Sequence, residues 1–155
     1  MDDRPLGHGF FFEDMPVGRT FRTFGRTITE SDLIAFVNAT GFTEVLFTDT
    51  EYLKTGSRIK GRVVPAMQVY AFAEALMIPS MQATGIAFLS ATLEVKGPTF
   101  VGDTIHVESE VIESRPTSKG GAGLVKTLNR VINQKGDLVL TYNPLRMVKA
   151  LTVKA

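Results

Sequence analysis

The chain contains no cysteine. That excludes disulfides, thiolate metal sites and cysteine nucleophiles. Histidine is almost absent too, with two in 155 residues. His8 lies in a glycine-flanked N-terminal arm, residues 1–9, read as mobile. His106 alternates with Ile105 and Val107 and is assigned to the polar face of a strand. Two distant imidazoles and scattered acids give no metal-ligand spacing, so no metal and no cofactor is predicted. Charge of one sign is also lacking: 17 Lys and Arg oppose 16 Asp and Glu. A net charge of +1 offers no electrostatic case for nucleic acid or a membrane surface. Arg19, Arg22 and Arg26 fall among apolar residues, as on the solvent face of a strand.

Long hydrophobic runs are missing. The most apolar stretch, Val69–Ile78, is interrupted by Glu74 and is far shorter than the ~20 residues of a membrane span. The first residues, MDDRPLGHG, lack the basic and apolar regions of a signal peptide. The default reading is a soluble cytoplasmic protein. Neither Gly7–Gly9 nor Gly120–Gly123 matches a nucleotide-binding loop.

What is present is an ordinary globular composition, 44% hydrophobic and 21% charged, of a length that suits one domain. Thr20–Thr27 reads as a first strand. Thr29-Glu-Ser-Asp32 is a capping box, in which the hydroxyl accepts from a first-turn amide and the acid reaches back. A helical apolar face follows, and Gly41 ends it. Thr48-Asp-Thr-Glu51 is a second start signal, for a short turn to Lys54 stopped by Gly56. A long helix begins near Pro65, runs through Leu76 and Met77, and ends at Pro79. It is apolar nearly all round, which predicts burial on most sides.

From Gly85 the pattern changes to strands: Ile86–Val95, Thr104–Ser114, Leu124–Ile132 and Leu138–Val148. Gln134-Lys-Gly-Asp137 makes a tight hairpin turn. Pro144 points to an edge position or a bulge in the last strand. A long helix followed by consecutive antiparallel strands predicts an α+β fold with the sheet wrapped around the helix.

Several segments, in order, resemble one family. They are Phe11-Phe-Glu-Asp-Met-Pro-Val-Gly18, Thr27-Ile-Thr-Glu-Ser-Asp32, Ala39-Thr-Gly41, Asp49-x-Glu-Tyr52, Gly61-Arg-Val63 and Gly97-Pro-x-x-Val-Gly-Asp-Thr104. Over about residues 10–148 the chain is similar to MaoC-like domains, the (R)-specific enoyl-CoA hydratases and acyl dehydratases. That resemblance implies a single hotdog domain. It further implies pairing of two sheets edge to edge, as a homodimer or with a homologous hotdog subunit. It also implies an acyl-thioester ligand, carried by CoA or a carrier protein, with its pantetheine arm along the N-terminus of the long helix.

The departures fall on the catalytic positions. Family hydratases read Thr-Gly-Asp-x-Asn-Pro-(Ile/Leu)-His-x-Asp where this chain has Thr40–Asp49. Phe42 stands at the catalytic Asp position and Phe47 at the catalytic His position, with Glu44 and Val45 at the Asn and Pro positions. Hydration of an enoyl thioester requires groups that move protons between water and substrate, which a phenyl ring cannot do. The family's Ala-His-Gly after Arg62 is replaced by Val64-Pro65-Ala66. Since proline has no N–H, an oxyanion hole there would use the amides of Ala66 or Met67. Candidate substrate-binding residues are therefore Phe42, Phe47, Arg62, Val64, Ala66 and Met67.

Three carboxylates are candidate catalytic groups. Glu44 and Asp49 have the spacing of the missing pair, although Asp49 also fits a helix cap. Glu74 lies mid-helix, nine residues after Pro65, a separation that resembles PaaI-like hotdog thioesterases. It would serve as a base toward water unless an arginine pairs with it. Three readings stay open: a hydratase or dehydratase relative, a thioesterase using Glu74, and a non-catalytic subunit of an active homologue.

Overall fold

The computed structural model describes residues 4–151. A single-turn 3-10 helix, Phe12–Asp14, opens the fold. Two short strands follow, β1 (Thr20–Arg22) and β2 (Arg26–Thr27), then helices α1 (Glu30–Thr40), α2 (Val45–Thr48), α3 (Thr50–Thr55) and α4 (Ala66–Met81). Four long strands complete the chain: β3 (Gly85–Val95), β4 (Thr104–Pro116), β5 (Ala122–Ile132) and β6 (Leu138–Lys149). The sheet is antiparallel, in the order β1-β4-β5-β6-β3, with β2 also on β4. This is the α+β hotdog arrangement, with α4 held by the sheet.

Strict alternation explains which face of the sheet meets α4. Ile105 and Val107 of β4, Val131 of β5, and Leu140 and Tyr142 of β6 are buried, while their neighbours His106, Glu108, Arg130 and Thr141 are partly exposed; Val111 and Val125, further along, pack with Met15. Against the first group α4 buries Gln68, Val69, Ala73 and Met77. The opposite side of α4 is not covered by the described residues. Met67, Ala71, Ala75 and Ile78 form an exposed stripe, which corrects the expectation of burial on most sides. No helix among the described residues is long and apolar enough to cross a membrane.

Thr29 caps α1 as its sequence predicts. Its hydroxyl accepts from the Asp32 amide at 3.2 Å, and the Asp32 carboxylate accepts from the Thr29 amide at 2.8 Å. Gly41 closes the helix with φ of 75°, a conformation that favours glycine.

Four expectations need correction. Thr20–Thr27 is not one strand: it leaves the sheet at Phe24, where the Thr23 hydroxyl replaces a backbone acceptor for the Val107 amide at 2.9 Å. Pro79 does not end the long helix, which continues to Met81. The missing N–H falls in the last turn, where the Ser80 hydroxyl donates to the Met77 carbonyl at 2.7 Å. Pro144 lies in an interior strand, between β5 and β3. The β5–β6 pairing omits Asn143 and Pro144, and the Asn143 side-chain amide donates to the Thr127 carbonyl at 3.4 Å. Finally, the described part of the N-terminal arm is anchored. Gly9 donates to Gln82 at 2.8 Å and Phe10 to Ser80 at 2.9 Å, so residues 9–15 strap the C-terminal end of α4 to the sheet.

Candidate functional site

The first turn of α4 is fixed by the loop leading to β4. Val63 pairs with Phe100 in an isolated bridge, and the Val64 amide donates to the Thr99 carbonyl at 2.8 Å. Asp103 holds that loop, accepting from the Phe100 amide at 2.8 Å and the Gln134 side chain at 2.7 Å. Between this frame and the segment carrying α2 lies a cavity of about 460 Å³.

Of the residues selected from sequence, Phe47, Val64 and Ala66 line the cavity. Leu46, Ile59, Val69, Val139 and Leu140 complete its apolar wall. Lys96 is the only titratable side chain among its lining residues, and Thr99 supplies a hydroxyl. Lys96 is paired with Glu94. Sequence reasoning missed Ile59, which sits in a polar stretch, and the Val95–Thr99 segment, which entered only as a strand end and the start of a family motif.

The other candidates stand elsewhere. Phe42 is 39% exposed and off the cavity, but its ring joins Phe36 and Phe47 in a row, with centroids 5.6 and 6.4 Å apart. Met67 is also exposed and off the cavity. The Ala66 and Met67 amides have no acceptor among the described residues. They are the unsatisfied donors normal for a helix start, and Ala66 is the one beside the cavity.

Arg62 acts within the protein. Its Nη2 donates to Glu30 Oε1 at 2.7 Å, and its Nη1 to the Phe47 carbonyl at 2.6 Å. It therefore ties the Phe47 turn to the start of α1, holding that wall of the cavity in place.

Glu44 is exposed and precedes α2, and its backbone carbonyl accepts from the Phe47 amide at 2.9 Å. Asp49 caps α3, accepting from the Glu51 and Tyr52 amides at 2.9 and 3.0 Å. Neither carboxylate lines the cavity. Glu74 is held by Arg146, whose Nη2 donates to Oε1 at 2.5 Å. To act as a base toward water it would have to give up this partner. Beside the pair, Tyr142 is fully buried; that burial, with the Glu74 carboxylate close by, raises its phenol well above the ordinary range. His106 lies within 3.5 Å of Glu108, and His8 stacks near Phe11, both remote from the cavity.

Residues 16–142 match the family described as FAS1-like, dehydratase domain region. The chain belongs to that family. Among curated relatives, it is 27% identical to a mesaconyl-CoA hydratase of Cereibacter sphaeroides, over 91% of this chain and 41% of that protein. It is 26% identical to an (R)-specific enoyl-CoA hydratase of Rhodospirillum rubrum, over 70% and 74% of the two chains. Among solved structures, a putative MaoC domain protein dehydratase of Chloroflexus aurantiacus superposes with a TM-score of 0.90 at 25% identity, over 99% of this chain and 44% of that one. A double-hotdog protein of Mycobacterium tuberculosis gives 0.86 at 22%, over 98% and 47%, which speaks to the fold. The chain spans about two-fifths of the length of the mesaconyl-CoA hydratase it matches. It is thus a MaoC-like hydratase-family hotdog domain, about the size of one unit of the double-hotdog structure.

Proposed function

We propose that this MaoC-like domain binds the acyl part of an acyl thioester in the cavity at the start of α4. In this reading it serves as the non-catalytic half of a pair whose second hotdog unit supplies the acid and base. One observation carries the reading: among the described residues no carboxylate or imidazole lines the cavity, and its wall includes Phe47, at the position where the sequence resemblance puts the family's histidine. An apolar cavity of this size suits a hydrocarbon chain. The free Ala66 amide at its edge suits a thioester carbonyl, because helix-start N–H groups point at developing negative charge.

Pairing is supported by β3. Its outer edge has no strand partner among the described residues, and nearly all of its residues are exposed. Unpaired edges of this length are normally covered or blunted. A second hotdog unit added to that edge would continue the sheet, and a homologous subunit that keeps the acid and base would also complete the site.

Thermal unfolding with a panel of acyl-CoAs, against free CoA, tests the binding half. A ligand at 100 times its dissociation constant stabilises by about 2.7 kcal/mol, so a shift that depends on chain length is the expected result. No shift with any acyl-CoA would overturn the reading. Incubation with crotonyl-CoA tests the catalytic half, and the expected result is no hydration by the chain alone. Hydration lost on Glu44→Gln or Asp49→Asn would return the acid–base role to this chain. Thiol release lost on Glu74→Gln would replace the reading with a thioesterase.

A further inference from the structure

Two polar side chains break the apolar wall of the cavity at the start of α4, Lys96 and Thr99. Lys96 is committed to Glu94. Thr99 is only 3% exposed, and its hydroxyl has no hydrogen-bond partner among the described residues. It differs from the unpartnered polar atoms of Gln68, Thr84, Thr127, Asn129 and Tyr142, which are sealed in the core. The hydroxyl of Thr99 keeps contact with open space, and the open space beside Thr99 is the cavity. Packing does not ask for a hydroxyl here. Valine would fill much the same volume with no polar atom to take out of water, a removal that costs stability when the group finds no partner.

The helix start fixes where Thr99 stands. Its carbonyl accepts from the Val64 amide at 2.8 Å, and its neighbour Phe100 forms the isolated bridge with Val63. Two residues beyond Val64 comes Ala66, the first residue of α4, which lines the same cavity and whose amide has no acceptor among the described residues. This end of the cavity therefore presents two hydrogen-bond donors from different segments, an amide and a hydroxyl, each without a partner.

We propose that the Thr99 hydroxyl is a second donor to the thioester carbonyl, gripping the same oxygen as the Ala66 amide. This rests on the acyl-thioester binding proposed above, and gives the chain a task beyond sheltering the acyl group. A carbonyl oxygen has two lone pairs, and one amide answers only one of them. Two donors from separate segments fix the direction of the C=O bond, which a single donor leaves free to turn. Together they draw electron density onto the oxygen and so polarise the acyl group for the unit that supplies the acid and base. Other ligand chemistries fit less well. A plain hydrocarbon would bury both donors unanswered. A phosphate or carboxylate would meet a wall of Leu46, Phe47, Ile59 and Val69, with the one nearby cation already paired.

The test combines one change in the protein with one in the ligand, read by titration calorimetry on the full chain. Hexanoyl-CoA carries the carbonyl; its thioether analogue, hexyl-CoA, has a methylene in that place. T99V should weaken hexanoyl-CoA about tenfold and leave hexyl-CoA within about twofold, while T99S, which keeps the hydroxyl, should match the parent with both. The carbonyl carbon of bound, isotopically labelled hexanoyl-CoA should resonate downfield of the free ligand and move part of the way back in T99V. A parent chain that binds neither ligand overturns the acyl-thioester reading and this proposal with it. Unchanged hexanoyl-CoA affinity in T99V leaves that reading standing and overturns the role of Thr99. Equal weakening of both ligands also overturns that role, since only wall packing would then have changed. Where T99V lacks the parent's circular dichroism spectrum, T99A replaces it: hexanoyl-CoA should lose more affinity than hexyl-CoA, and an equal loss would overturn the proposal.

Discussion

Two hollows lie along α4, and they differ in charge. The one at its first turn is walled by Phe47, Val64, Val69 and Leu140 and holds one titratable side chain, Lys96. The one at its middle has Glu74 and Arg146 on its floor beneath an apolar rim. The family resemblance directs attention to the first for acid–base groups, and the carboxylate and guanidinium are in the second. A fold can therefore hold a cavity at one end of a helix while a charged residue of the same helix faces in another direction. Family membership fixes the shape, and the chemistry has to be read side chain by side chain.

The sharpest way to break this contrast is to remove one charge from the second hollow. Arg146→Met leaves Glu74 without its cation and should cost about 4 kcal/mol in denaturant unfolding, whereas Arg146→Met with Glu74→Leu should return to within about 1 kcal/mol of the parent. In the first hollow the corresponding loss is one of packing. Phe47→Ala should cost about 3 kcal/mol, and the enlarged cavity should move the acyl-CoA preference in thermal shift to longer chains. Ala66→Phe should instead fill the cavity edge and remove the ligand-induced shift, with the ligand-free melting point little changed.

Outside both hollows the effects become smaller. A Cβ on Gly123 would meet the Phe12 ring at 1.9 Å, so Gly123→Ala should cost about 2 kcal/mol by dislodging the strap. Thr29→Ala removes the α1 cap, at about 1 kcal/mol. That variant also has a pH signature. The Thr29 amide bond, more than Thr29's hydroxyl and Arg26, lowers the Asp32 carboxyl below its ordinary value, against a partial opposing effect of burial. A depressed carboxyl stabilises the fold above its unfolded value and loses that contribution as pH falls through the folded one. Thr29→Ala keeps the amide and loses only the hydroxyl, so the parent should lose slightly more stability than Thr29→Ala between pH 7 and pH 3, read from urea midpoints.

Local signals carried much of this fold in the sequence. Thr29, Asp32 and Gly41 mark α1 because their work is done within three or four residues. Alternation marks β4, β5 and β6 because one face of each is buried and the other is partly open. What the sequence hid depends on partners far along the chain. Glu74 is 72 residues from Arg146, and Arg62 is 32 from Glu30, so neither pair leaves a local pattern. Pro144 pointed to an edge or a bulge; the strand is interior, its pairing with β5 lapses at Asn143 and Pro144, and the Asn143 side chain bonds to the Thr127 carbonyl there. In the candidate site, Phe47, Val64 and Ala66 were accessible through resemblance, while Ile59 and Val139 reach the cavity only through the tertiary fold.

The strap at residues 9–15 also has a consequence for how the chain is made. Phe12 packs at Gly123, and the Glu13 carboxylate accepts from the Leu151 amide, 138 residues later, at 2.8 Å. Synthesis proceeds from the N-terminus at roughly 5–20 residues per second, so these first residues emerge well before their partners exist. Until β5 and the end of β6 are made, Phe12 and Glu13 lack these partners, although Phe10 can already meet Phe21 and the end of α4. The strap is therefore completed only by strands that are made more than a hundred residues after it, and its Phe12 end stays unanchored throughout that interval.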